Sequence, residues 1–147
     1  MTLTVLLIED SKFIRMTSER ALTKAGYRVL TASDGEQGLR MARESLPDLI
    51  LLDMMLPIIA GADVLRTLKG EHLTAHIPVI VLSSLSQKCS TKLKQQGVAA
   101  YIEKAALVSG DSQTLVQALN DAVGLKSRSQ HESNSTAPQS ASDGTLG

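Results

Sequence analysis

The sequence predicts an α/β protein in which five short parallel strands form one sheet between layers of helix. Three observations carry that expectation. Short apolar runs rich in β-formers alternate with segments of helical period, as βα units around a parallel sheet do. The runs are continuously apolar, which fits strands covered on both faces. Four of the five units close on a glycine or proline, namely Gly26, Pro47, Gly97 and Gly124.

Taken in order, the first strand is Thr4 to Ile8, and its helix begins near Ser11. Ile14, Ala21, Leu22 and Ala25 then fall at helical spacing, and Gly26 supplies a left-handed stop. Tyr27 to Thr31 is the second strand. Ser33 or Asp34 caps the second helix, whose inward side carries Leu39, Ala42 and Leu46. The third strand, Leu49 to Leu52, is all aliphatic and ends directly on Asp53; Pro57 and Gly61 shape a loop into a helix with Val64, Leu65 and Leu68. Pro78 to Leu82 is the fourth strand, followed by a more polar helix from Gln87 to Gln95 and a fifth strand from Ala99 to Ile102. A last helix buries Leu115, Leu119, Ala122 and Val123 before Gly124. From Lys126 onward there are six serines in 22 residues and almost nothing aliphatic, so 125–147 is expected to be a disordered Ser-rich tail or linker behind a single domain over 1–124.

Composition narrows the function. With 147 residues, 43% of them apolar, the chain can bury one well-packed core. Lys+Arg and Asp+Glu are 15 each, leaving no net field to attract nucleic acid or an anionic membrane. Phe13, Tyr27 and Tyr101 are the whole aromatic set, so the stacking platforms of single-strand binders are absent. Cys89 is the sole cysteine, which excludes an internal disulfide and agrees with a reducing compartment. Met1 to Asp10 lacks the basic flank and cleavage site of a signal peptide, and the longest apolar region, Leu49 to Ala62, is broken by Asp53 and Pro57. A cytoplasmic protein without membrane or nucleic-acid partners is the expectation.

The chemistry-bearing residues collect where such a sheet binds ligands, beyond the carboxyl ends of its strands. Glu9 and Asp10 end the first strand, Asp53 the third and Ser83 the fourth, and Lys104 lies just past the fifth. Three converging carboxylates repel one another unless one is protonated or a cation bridges them. Mg²⁺ takes oxygen ligands and commonly links a carboxylate to a phosphoryl group. Asp53 is then the natural nucleophile, forming an acyl phosphate, with the metal and the Lys104 ammonium offsetting charge on the transferring oxygens and Ser83 donating a hydrogen bond. Acidic residues after strands are often mere solvated turn formers, but five residues of the right types on four strands make that reading a poor one.

These residues resemble the response-regulator receiver domain, of the chemotaxis-regulator kind. The resemblance rests on Glu9-Asp10, on Asp53 with Pro57 and Gly61 behind it, on Ser83 in Val-Leu-Ser-Ser and on Tyr101-Ile102-Glu103-Lys104, and it covers roughly Leu3 to Gly124. It implies a flavodoxin-like three-layer sandwich of strand order 2-1-3-4-5 with five helices. It further implies phosphorylation of Asp53 by a histidine kinase or phosphotransfer protein, in a regulatory phosphoacceptor of a two-component system and not an enzyme with a separate substrate. Mg²⁺ would be held by Asp10, Asp53 and the backbone carbonyl of Met55, with Glu9 acting through water. Ser83 and Tyr101 would form the switch pair, and the fourth helix, fifth strand and fifth helix the output face toward an unknown downstream protein. Phosphorylation-dependent homodimerisation stays open.

The chain departs from that pattern in places. Ala105 follows Lys104 where receivers usually have proline after a cis bond; a cis bond before alanine costs about 2.5–4 kcal/mol, so the loop either bears that strain or runs trans, with Lys104 still expected to reach Asp53. Ala60 stands where many receivers carry Asp, removing a local hydrogen bond at the start of the third helix. Met55 and Leu85 flank the site at positions that, by resemblance, tune acyl-phosphate lifetime. His72 and His76, four apart, lack the further ligands of a metal site and read as a surface pair. Rival readings are weaker: an aspartyl-phosphate phosphatase would carry a second Asp where Met55 stands, and a flavodoxin would not place Glu9 and Asp10 in its phosphate loop. A receiver cut from a larger regulator or hybrid kinase remains an alternative.

Overall fold

The computed structural model describes residues 2–83, 97–105 and 112–134. In chain order these form β1 (Thr4–Ile8), α1 (Lys12–Lys24), β2 (Arg28–Ala32), α2 (Gly35–Ser45), β3 (Leu49–Asp53), α3 (Gly61–Gly70), β4 (Val79–Ser83), β5 (Ala100–Glu103) and α4 (Ser112–Asn134). The strands make one parallel sheet of order β2-β1-β3-β4-β5. Order therefore reverses between β1 and β3, the switch point where an open α/β sheet leaves a crevice.

Period-2 alternation divides the apolar strand residues between two cores. Leu6, Ile8, Ile50, Leu52, Val79 and Val81 face Leu39 and Ala42 of α2 and Val64, Leu65 and Leu68 of α3. Val5, Leu7, Leu49, Leu51, Ile80 and Leu82 face Leu22 of α1 and Leu115, Leu119 and Ala122 of α4. The result is a three-layer sandwich whose three central strands are buried almost throughout and apolar except at one end, because both faces are covered.

The helix starts follow local chemistry. Ser11 caps α1 by accepting from the Ile14 N–H, and Asp34 caps α2 by accepting from Gln37. Ala60 occupies the same position before α3 and offers no side-chain cap. Gly26 takes the left-handed conformation after α1 (φ 102°), as the sequence suggests.

Four expectations need correction. β2, β4 and β5 each sit one residue later than expected, ending on Ala32, Ser83 and Glu103. Leu46 is not inward; it ends α2 in the left-handed conformation and is exposed. Ala25 caps α1 at the surface. The last helix does not stop before Gly124 but runs to Asn134, and Gly124 keeps negative φ inside it. Leu125, Lys126, Arg128, Gln130 and Glu132 are good helix formers, and that local preference outweighs the serine content. The expected helix from Gln87 to Gln95, with Leu85 and Cys89, lies outside the described residues.

Candidate functional site

The site lies at the carboxyl ends of β1 and β3, beside the crevice made by the reversal of strand order. β1 delivers Glu9 and Asp10 into the turn before α1, and β3 ends on Asp53, opposite Leu82 of β4. Lys104 follows β5 directly, two strands away from Asp53 in the sheet. Glu9, Asp10 and Asp53 bring carboxylate oxygens within 4.8 Å of one another. Asp10 is exposed, whereas Glu9 and Asp53 are 0% exposed.

Each buried carboxylate has one engaged oxygen and one orphan. Asp53 Oδ1 accepts from the Met55 N–H (2.9 Å) and from Lys104 Nζ (2.8 Å). Glu9 Oε2 accepts from the Ser11 N–H (3.0 Å) and from Lys104 Nζ (3.3 Å). Asp53 Oδ2 and Glu9 Oε1 are buried with no partner among the described residues. Leaving a buried acceptor unpaired costs about 1–3 kcal/mol, and more for a charged group. Two such oxygens beside a third carboxylate are the donor set a hard divalent cation takes, so these residues fit a magnesium ion.

Electrostatics carries the same strain. Burial pushes the Glu9 carboxyl up to about 7, with the neighbouring Asp53 adding to the rise; the Ser11 N–H and the Lys104 ammonium oppose it. Burial alone would lower Lys104, but the hydrogen bond to Asp53 and the charges of Glu9 and Asp53 outweigh it and hold the ammonium above its ordinary range. One cation thus sits between two buried carboxylates, with an exposed third at the rim.

The other expected residues are also located. The Lys104 ammonium reaches Asp53 although alanine follows it, and no cis peptide bond occurs among the described residues. Ser83 is buried at the end of β4. Tyr101 is half-buried on β5 and packs against the core shared by α2 and α3, on the sheet face to which Val81 and, by alternation, Ser83 belong. Met55 is exposed beside the site, its N–H on Asp53. His72 and His76 are exposed, far along the chain from these residues and outside the carboxylate cluster.

Three features escaped the sequence reading. Arg15 donates from Nη1 to the carbonyl oxygens of Glu9 (2.9 Å) and Asp10 (3.4 Å). Ser11 caps α1 with its side chain and ties Glu9 with its N–H. The loop after Asp53 tightens at Ile58, where φ is 71° and the Ile59 N–H bonds back to the Pro57 carbonyl at 2.7 Å, a γ-turn in its strained form. A cation in the first turn of a helix is the one sequence signal that marks Arg15, since that is the turn where the helix dipole disfavours it.

Comparison with known proteins agrees with this geometry. A family model described as the response regulator receiver domain matches residues 5–120. The polar-differentiation response regulator DivK of Brucella ovis is 33% identical over 123 residues, covering 83% of this chain and 100% of that protein. The transcriptional regulatory protein AfsQ1 of Streptomyces coelicolor is 48% identical over 80 residues, 54% of this chain and 34% of that protein. Among solved structures, the chemotaxis response regulator CheY4 of Vibrio cholerae superposes with a TM-score of 0.76 at 25% identity, covering 83% of this chain and 99% of that one. With β1–β3–Lys104 geometry and family match in agreement, the chain belongs to the response regulator receiver domain family.

Proposed function

We propose that this receiver works as a phosphorylation-activated switch in which Asp53 accepts a phosphoryl group from a histidine kinase or phosphotransfer protein. The observation that carries the reading is the pairing on one carboxylate: Oδ1 is held by Lys104 and the Met55 N–H, while Oδ2 is buried and unpartnered. Oδ2 is the oxygen whose lone pair attacks phosphorus. It forms the new O–P bond as the P–N bond to a donor imidazole breaks, and the departing nitrogen keeps its electron pair and later takes a proton. Lys104, 15% exposed, lies where negative charge gathers on the transferring oxygens. Glu9, Asp10, Asp53 and the Met55 carbonyl would hold Mg²⁺, with Glu9 acting through water; when bound, the ion supplies positive charge against the phosphoryl oxygens.

After transfer, the Ser83 hydroxyl turns toward the phosphoryl group and Tyr101 moves inward behind it, converting local charge into a changed surface around β5. The shared sheet face of these two side chains supports that coupling. The domain acts as a cytoplasmic phosphoacceptor that turns over no separate substrate and signals by protein contact. Residues 1–124 form the receiver and 125–147 a tail or linker, its first part helical.

Intact-mass measurement after incubation with acetyl phosphate tests the reading. A single phosphoryl adduct that requires Mg²⁺, fails to form in EDTA and is absent from Asp53→Ala is the expected result. No adduct together with no beryllofluoride binding would refute it.

A further inference from the structure

The turn that carries Glu9 and Asp10 is held from outside by Arg15, half-buried in the first turn of α1. Its Nη1 donates to two consecutive carbonyls, at 2.9 Å to Glu9 and at 3.4 Å to Asp10. Among the described residues, the second of these is the one hydrogen bond that touches Asp10. The exposed Asp10 carboxylate is nevertheless one of three whose oxygens gather within 4.8 Å. Something must fix the direction in which that side chain leaves the turn. The Ser11 N–H fixes the Glu9 side chain, and Arg15 alone reaches the backbone of both acids.

The position of Arg15 is costly in other respects. The first turn of α1 contains Lys12 and Arg15 and no acidic residue, although helix N-termini favour negative charge. A guanidinium fits here because one of its planar, fixed donors can meet two carbonyls at once.

We infer that Arg15 is a positioning residue for the cation site: by clamping the Glu9 and Asp10 carbonyls it aims their carboxylates and so sets affinity for a divalent cation. This rests on the cation-assisted reading above. Simple electrostatics gives the opposite sign, because removing a positive charge beside a cation site tightens binding. Loss of position loosens it, by about tenfold at the lower end of what outer-shell substitutions cost a metal site.

The test is Mn²⁺ binding to the full chain, read from the paramagnetic resonance of the free ion, for wild type, Arg15→Gln and Arg15→Lys, with urea unfolding of the metal-free proteins alongside. The expected result is about tenfold weaker binding by Arg15→Gln, with Arg15→Lys in between and urea midpoints little changed. Binding by Arg15→Gln that equals or exceeds the wild type overturns the inference. If Arg15→Gln fails to fold, Arg15→Lys decides: weaker binding at unchanged charge supports the clamp, and equal binding overturns it. A wild type that takes no Mn²⁺ overturns the cation-assisted reading itself, and this inference with it; a wild type that binds leaves the variants to judge Arg15 alone.

Discussion

At the scale of single residues, the site packs two buried carboxylates and an exposed third around one ammonium. Glu9, raised to about 7 chiefly by burial, binds a proton in the folded protein over a range where the unfolded chain has already released it. Its folded pKa lies above the unfolded value, so its contribution to stability is complete below the unfolded pKa of 4.5 and is lost as pH rises through about 7. The urea midpoint of metal-free protein is therefore expected to fall as pH rises across that window, and saturating Mg²⁺ should reduce the fall. A midpoint that climbs through the same window in EDTA contradicts the assignment. Ile58 is strained for a different reason: a β-branched residue at φ 71° and 75% exposed gains little from burial to offset its backbone. Ile58→Gly should raise unfolding free energy by about 1 kcal/mol in urea titration. The acids and Lys104 were legible because each lies at or just past the carboxyl end of a strand whose apolar residues mark it in the sequence. Ile58 was not, since positive φ in a non-glycine residue leaves no composition signature, and Arg15 is marked only by being a cation in the first turn of a helix.

Among elements, the strands and the burying faces of the helices were legible because a sheet covered on both sides leaves long apolar runs. The boundaries shifted where side chains could not report them. β2, β4 and β5 slid by one residue because pairing with their neighbours, not local propensity, sets the ends of a parallel strand. α4 outran its expected glycine stop because Gly124 stops a helix only when it adopts positive φ, and it does not. α3 shows the converse, a helix whose weak start is visible in the sequence: Ala60 caps nothing. Ala60→Ser should therefore add about 1 kcal/mol to stability by accepting an N–H of the first turn, measured as a higher urea midpoint at unchanged slope. Gly61 behind it allows no such freedom. A Cβ there would overlap the Asp53 carbonyl and the Met54 Cα, so the glycine lets α3 start directly against the strand end that carries Asp53.

For the whole molecule, the fold is a frame that brings the ends of β1 and β3 and the residue after β5 to one edge, where three carboxylates and one ammonium meet. The sheet order that creates this edge followed from the family resemblance, since βα alternation alone admits several orders. Function likewise comes from the site and not the frame, which flavin-binding and phosphatase folds share in outline. The central claim is that Asp53 is the acceptor. Its most direct test is to phosphorylate the full chain with acetyl phosphate and Mg²⁺, reduce the acyl phosphate with borohydride, and map the product by peptide mass. The account predicts that aspartate is converted to homoserine at position 53 and nowhere else. Reduction at Asp10 or another carboxylate, or a stable adduct on Ser83 that borohydride leaves intact, would contradict it.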